Sequence, residues 1–223
     1  MSTYVTDLSG ERKPRKLPSR ELDPVELRIL GSLAEKQMAT PEYYPLTLNA
    51  LVAACNQKSN RDPVMELSEE NVQRGLDRLQ NEKLVWKVMG GRAVRWEHNL
   101  DATLQLDRAS RALLALLFLR GPQTAGELRS RSDRLDSFES IGEVEETLRR
   151  LDPLVVEVSR RPGQKESRWA HTLGGSVSSQ TPAEDHDEGQ RGRRSTEERL
   201  TALEEQVAAL AEELRAKGSD LKS

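Results

Sequence analysis

Few residues in this chain could do chemistry, and each has an ordinary structural use. His98 and His171 close two copies of one signature, Arg95-Trp96-Glu97-His98 and Arg168-Trp169-Ala170-His171. Two imidazoles at matching places could hold a metal. Equivalent positions in a repeat, however, share a structural job, here ending a strand beside a packed tryptophan. Cys55, the single cysteine, lies on the apolar stripe of Leu48, Leu51 and Val52 and is a small core residue rather than a nucleophile. The chain has no Walker-type phosphate loop, no Gly-x-Gly-x-x-Gly after a strand, no His-Glu-x-x-His and no Gly-x-Ser-x-Gly. No catalytic residue, metal ligand set or cofactor site emerges, and an enzyme is the least supported class. What remains is a set of cations: Lys87, Arg92 and Arg95 in one cluster, Arg160, Arg161, Lys165 and Arg168 in another.

The elements that must position these cations are two copies of a helix followed by a hairpin. Val72, Leu76 and Leu79 mark one face of a helix capped by Ser68, with Glu69 and Glu70 at its positive end. Leu84, Trp86 and Val88 then alternate with Val85 and Lys87. Gly90-Gly91 supplies a turn, and Val94 and Trp96 alternate with Arg95 and Glu97. Val144, Leu148 and Leu151 repeat the helix, Leu154 to Val158 the first strand, and Pro162-Gly163 the turn. This spacing predicts an internal duplication of the back half of a winged helix-turn-helix.

Composition bounds the rest. The chain has 223 residues, is 32% charged and 4% aromatic, and carries a net charge of −3. Two small cores with polar flanks fit these values better than one large core, and a uniformly basic nucleic-acid coat is excluded. The longest apolar run, Ala112 to Leu119, is too short to span a bilayer. The polar opening, Met1 to Arg20, gives no signal-peptide pattern. A single cysteine excludes a disulfide framework and a cysteine-rich zinc site. A cytoplasmic location with no membrane partner is expected.

In chain order, residues 1–21 read as a disordered basic arm, by composition a solvated tail, though such arms can also lie along phosphates. Residues 22–100 form the first winged-helix unit. Asp23-Pro24 opens its first helix, which reaches about Gln37, Tyr43 to Leu46 is a short extended piece, and Thr47 caps the second helix. Residues 101–172 form the second unit. Asp107 caps a helix stopped by Gly121-Pro122, Thr124 caps the next, and Ser140 with Glu143 has capping-box spacing. Residues 173–194 are a flexible linker. In residues 195–217, Leu200, Leu203, Val207, Leu210 and Leu214 step by three and four, a short heptad seam. So short a seam is marginal alone, and self-association is expected in preference to the alternative, a single helix folding back on its own body. The fold class is therefore mainly α with small β-hairpins: a tandem winged helix-turn-helix, a flexible linker and a C-terminal coiled-coil helix.

Between the second and third helices runs Asn56-Gln57-Lys58-Ser59-Asn60-Arg61-Asp62-Pro63, longer than a helix-turn-helix connection needs. Its amides, with Lys58 and Arg61, either tie the turn together or bind a phosphate or partner, so Asn56, Gln57, Lys58, Asn60 and Arg61 are binding candidates. Together with Leu22 to Glu26 and Thr40 to Leu46, this string resembles the YceH family of bacterial tandem winged-helix proteins. The resemblance covers Leu22 to Thr172. It implies the fold and no particular activity.

Winged helices commonly bind DNA through outward Arg, Lys, Asn or Gln on the third helix. Here the outward ridges are Glu70, Arg74, Asp77 and Asn81, and Glu145, Glu146, Arg149 and Arg150. Acid–base pairs four apart neutralise one another there, which leaves Arg74 and Arg78 as weak base-reading candidates. Basic hairpins beside acidic helices fit two functions. The leading expectation is a non-enzymatic, DNA-associated regulator or adaptor that touches backbone mainly through its wings. The alternative is a protein–protein scaffold that binds no nucleic acid, with the architecture of the segregation protein ScpB.

Overall fold

Asp23 accepts a hydrogen bond from the backbone of Glu26, and the Glu26 carboxylate reaches back to the Asp23 N–H, so the first helix begins where the Asp-Pro pair requires. The computed structural model describes residues 15–90, 93–160 and 166–175, all in one compact unit. Their helices are α1 (Pro24–Ala39), α2 (Leu48–Cys55), α3 (Glu69–Asn81), α4 (Leu100–Leu104), α5 (Arg108–Arg120), α6 (Ala125–Ser132) and α7 (Ile141–Arg150). Thr47, Ser68, Asp107, Thr124 and Ser140 each accept a bond from a first-turn N–H, so five further helix starts follow from capping chemistry. At five residues, α4 is too short to leave a periodic signal in the sequence.

Two small antiparallel sheets complete the described fold. In the first, β1 (Leu46–Thr47) pairs with β3 (Ala93–His98), which pairs with β2 (Val85–Gly90). In the second, β4 (Val155–Val158) pairs with β5 (Arg168–His171), and the two sheets stay separate. The face assignment of the first hairpin differs from the sequence expectation. Lys87 stands opposite Trp96, and Trp86 opposite Glu97. Opposite residues share a face, so Val85 lies with the buried Trp96, while Trp86 turns outward and is 38% exposed. Leu84 is buried because it lies in the bend before β2, where its N–H bonds Leu79 O, and not because it alternates with Trp86.

The expected pair of separate cores is replaced by one contiguous apolar cluster. Both α1 and α5 are buried nearly all round, Leu27 to Ala34 in one and Ala112 to Leu119 in the other. A helix buried on every side needs neighbours on every side, and these two supply one another. Gly31 permits the approach: a Cβ there would stand 2.8 Å from Leu119.

Residues 15–21 are not a free arm. Arg15 donates to the carbonyls of Leu104, Arg150 and Asp152, and Ser19 donates through its N–H and hydroxyl to Glu82. One short segment thus holds the C-terminal ends of α3 and α7. A guanidinium suits unsatisfied helix-end carbonyls, which is why a basic tail docks there. Among the described residues no helix is long and apolar enough to cross a membrane.

Candidate binding surfaces

The repeated Arg-Trp-x-His signature builds the same joint twice. Arg95 donates to Pro45 O at 2.8 Å, and Arg168 donates to Pro122 O at 3.0 Å. The next residue pairs with the tryptophan in each half, Leu46 with Trp96 and Gln123 with Trp169. Thr47 and Thr124 then cap α2 and α6. Each arginine therefore fastens the root of its hairpin to the entrance of its second helix. Arg168 also lies 3.5 Å from Glu127.

The histidines finish these joints. Burial, then the charge of Arg111, pushes His98 down to about 3, and burial pushes His171 down to about 4, so both rings are neutral at pH 7. Nδ1 of His98 accepts from the Leu100 N–H, which assigns the proton to Nε2, 2.8 Å from Gln37 Oε1. His171 meets the Phe118 ring edge-on at 5.2 Å. Burial pushes the Cys55 thiol up to about 11, which keeps it protonated. Among the described residues no three of His, Cys, Asp and Glu gather as a metal site.

Of the other hairpin cations, Lys87 is exposed and places Nζ 4.9 Å from the centroid of the Trp96 ring, and Arg160 is exposed. Arg92, Arg161 and Lys165 lie outside the described residues, as do the seam residues Leu200, Leu203, Val207, Leu210 and Leu214.

The cations of the third helices are engaged within the fold. Arg74 lies 3.8 Å from Glu70, and Arg149 lies 2.9 Å from Glu145. Arg150 bonds Thr147 Oγ1 and stands 3.9 Å from Asp107, not paired with Glu146 as the spacing suggested. Arg78 turns away from the ridge: it bonds Asp23 and lies 3.1 Å from Glu26, both at the start of α1. Exposed on the α3 ridge beside Arg74 are Glu70, Asp77 and Asn81.

Most of the polar loop is spent on structure. Asn56 exchanges two 2.8 Å bonds with the backbone of Leu67, closing the loop as an amide clip. Arg61, its side chain fully buried, grips both carboxylate oxygens of Glu35, at 3.1 and 2.6 Å, and also donates to Ala54 O and Gln57 Oε1. Arg28, also buried, donates to the carbonyls of Cys55 and Pro63. Asn60 takes φ 58°, the left-handed region that asparagine tolerates. Lys58 and Asn60 remain exposed. The sequence signal for this network is Arg28 standing between Leu27 and Ile29, a charge on an otherwise apolar stripe.

A cleft of about 600 Å3 opens in the second half, between the start of α7 and the β4–β5 hairpin. Trp169 and Ile141 give it apolar walls, and Glu145, Glu157 and Glu166 surround them with carboxylates beside Arg160. Sequence spacing does not mark these acids as a group, because their convergence depends on the hairpin folding over α7.

Residues 22–164 match the family model described as "Protein of unknown function, DUF480". A UPF0502 protein of Opitutus terrae is 51% identical over 168 residues, covering 72% of this chain and 73% of the relative. That of Geobacter sulfurreducens is 52% identical, covering 69% and 73%. That of Azotobacter vinelandii is 55% identical, covering 67% and 68%. None of these names states an enzymatic activity. The family match takes in all seven described helices and both strands of the first hairpin, and on that basis the chain belongs to the DUF480/UPF0502 family.

Proposed function

We propose that this is a cytoplasmic, non-enzymatic tandem winged-helix protein, of the YceH type, whose third-helix faces receive a protein partner. Helix, helix, helix, hairpin occurs twice, with the same arginine joint in each copy, and this supports the winged-helix reading. The observation that carries the choice of partner is the engagement of Arg74, Arg78 and Arg149 with carboxylates of the fold. Helices that read DNA offer unspent donors to bases and cations to phosphates. These ridges offer paired charge with carboxylates outward, which phosphates repel and a protein surface accommodates. Self-association through residues 195–217 would present the faces in more than one copy.

The test is photo-crosslinking in cells with p-benzoylphenylalanine in place of Asp77 or Glu146. A discrete, nuclease-insensitive protein adduct at either position is expected. No adduct at both, or adducts lost on nuclease treatment, would overturn the reading.

The second reading is backbone binding to DNA through the hairpins, favoured by the exposure of Lys87 and Arg160. Under it, alanine at Arg160, Arg161 and Lys165 lowers affinity equally for unrelated sequences. The salt slope then shrinks by about one for each phosphate that is no longer neutralised.

A further inference from the structure

Among the described residues, β2 and β4 each have a strand on one side only, β3 and β5 respectively. Asn99 N–H donates to Leu84 O at 2.7 Å, and Thr172 N–H donates to Leu154 O at 2.9 Å, which fixes the alternation of each ladder. Trp86 and Val88 therefore turn their backbone groups toward β3, whereas Val85, Lys87 and Met89 turn theirs toward the open edge. On β4 the residues that face the open edge in this way are Val155 and Glu157. An open edge is a template for another strand, and folds commonly guard it with several charges, a proline or a bulge. These two strands contain no proline and one charge each, Lys87 on β2 and Glu157 on β4. Both side chains are exposed, and they hold equivalent places in the repeat, opposite Trp96 and opposite Trp169. The same rung of the two hairpins thus carries opposite charges.

We propose that β2 of one copy of this chain pairs antiparallel with β4 of a second copy, Lys87 opposite Glu157. That register brings edge-facing backbone groups together, as a ladder requires, and it fixes every other rung. Val88 then stands opposite Val156 of the second copy, Trp86 opposite Val158, and Met89 opposite Val155. Trp86 and Val156, 38% and 40% exposed, lie on the outward faces of their own sheets, and the pairing joins those faces into one apolar strip. Met89, 75% exposed, gains an apolar neighbour on the other face. Pairing an edge with its own equivalent in matched register would set Lys87 against Lys87, or Glu157 against Glu157, which repels. The contact joins two different surfaces and is therefore head-to-tail. It goes beyond the third-helix reading and does not depend on it.

The experiment mixes two forms of the full chain, Val88→Cys and Val156→Cys, one of them tagged, and oxidises the mixture with copper phenanthroline. In the proposed register these positions form a non-hydrogen-bonded pair with Cα atoms about 4.5 Å apart, within reach of a disulfide. Cys55 is buried and takes no part. The mixed disulfide should form faster than either homodisulfide. Lys87→Glu in the first chain should slow it about tenfold, because an attraction becomes a repulsion of similar size. Adding Glu157→Lys to the second chain should restore the rate, and that recovery also reports that both variants fold. Lys87→Gln, which only removes the charge, should slow the reaction several-fold and keeps the test open should a reversed variant not fold. Association through residues 195–217 alone would be indifferent to these charges and would not favour the mixed product. Homodisulfides as abundant as the mixed one, or a rate unmoved by both Lys87 changes, would overturn the proposal. So would failure of Glu157→Lys to restore a rate lost to Lys87→Glu when circular dichroism shows both variants folded.

Discussion

Arg78 Nε stands 3.1 Å from Oε1 of Glu26, a carboxylate whose side chain is fully buried. Arg78 is thereby a strut between α3 and the first turn of α1. Glu26 also accepts from Arg20 and from the Asp23 backbone, so one carboxylate serves as cap, brace and anchor for the residue 15–21 strap. Gly75 brings α3 close enough for this, since a Cβ there would lie 2.6 Å from Ile29 Cδ1.

That junction makes the fold acid-sensitive. Burial alone would raise Glu26, but the Arg20 hydrogen bond, the Asp23 N–H and the charges of Arg20 and Arg78 outweigh it and hold the carboxyl below its ordinary 4.5. Its contribution is present above the unfolded value and is lost as pH falls through the lower folded one. Glu26→Gln should lower stability at neutral pH by about 2–3 kcal/mol, because charge-assisted bonds are removed. Urea unfolding from pH 7 to 3 should show the difference from wild type shrinking below pH 4.5. A constant difference would assign the effect to packing.

A second acid limb belongs to the histidines. His98 and His171 are held near 3 and 4, below the ordinary 6.5, so the unfolded chain binds protons that the fold refuses. Stability is complete above the unfolded value and falls as pH drops from 6.5 toward the folded ones, by about 1.4 kcal/mol per pH unit per histidine. Urea midpoints between pH 7 and 5 check this. His98→Gln should reduce the slope in that window, and an unchanged slope would contradict the assignment.

The polar loop yields a contrast within a few residues. Arg61→Ala leaves Glu35 charged in a buried setting and strips a donor from Ala54 O, which should cost about 3–5 kcal/mol. Lys58→Ala, exposed nearby, should change stability by less than about 0.5 kcal/mol. Denaturant midpoints decide it, and equal effects would mean that the loop is not the internal tie described.

The sequence carries the elements well because their signals are local. Asp23, Thr47, Ser68, Asp107 and Thr124 each announce a helix by capping chemistry, and the twin Arg-Trp-x-His announces a repeat. What it cannot carry is relational. The face of Trp86 depends on pairing with Glu97 rather than on alternation within its own strand. The docking of Arg15 depends on carbonyls more than a hundred residues away. The engagement of Arg78 by Glu26 and of Arg95 by Pro45 is likewise invisible until the chain is folded. A tally of cations in sequence therefore overstates what a surface has left to offer.

We propose that the cations of α3 and α7, paired with groups of the fold, do not read DNA. Fluorescence anisotropy of the full chain against two unrelated duplexes tests it most directly, starting from about 50 mM salt, where backbone attraction is strong. The account predicts no sequence preference, and no change in whatever weak binding remains on Arg74→Ala or Arg149→Ala. Saturable binding that prefers one duplex and loses that preference on Arg74→Ala would contradict it.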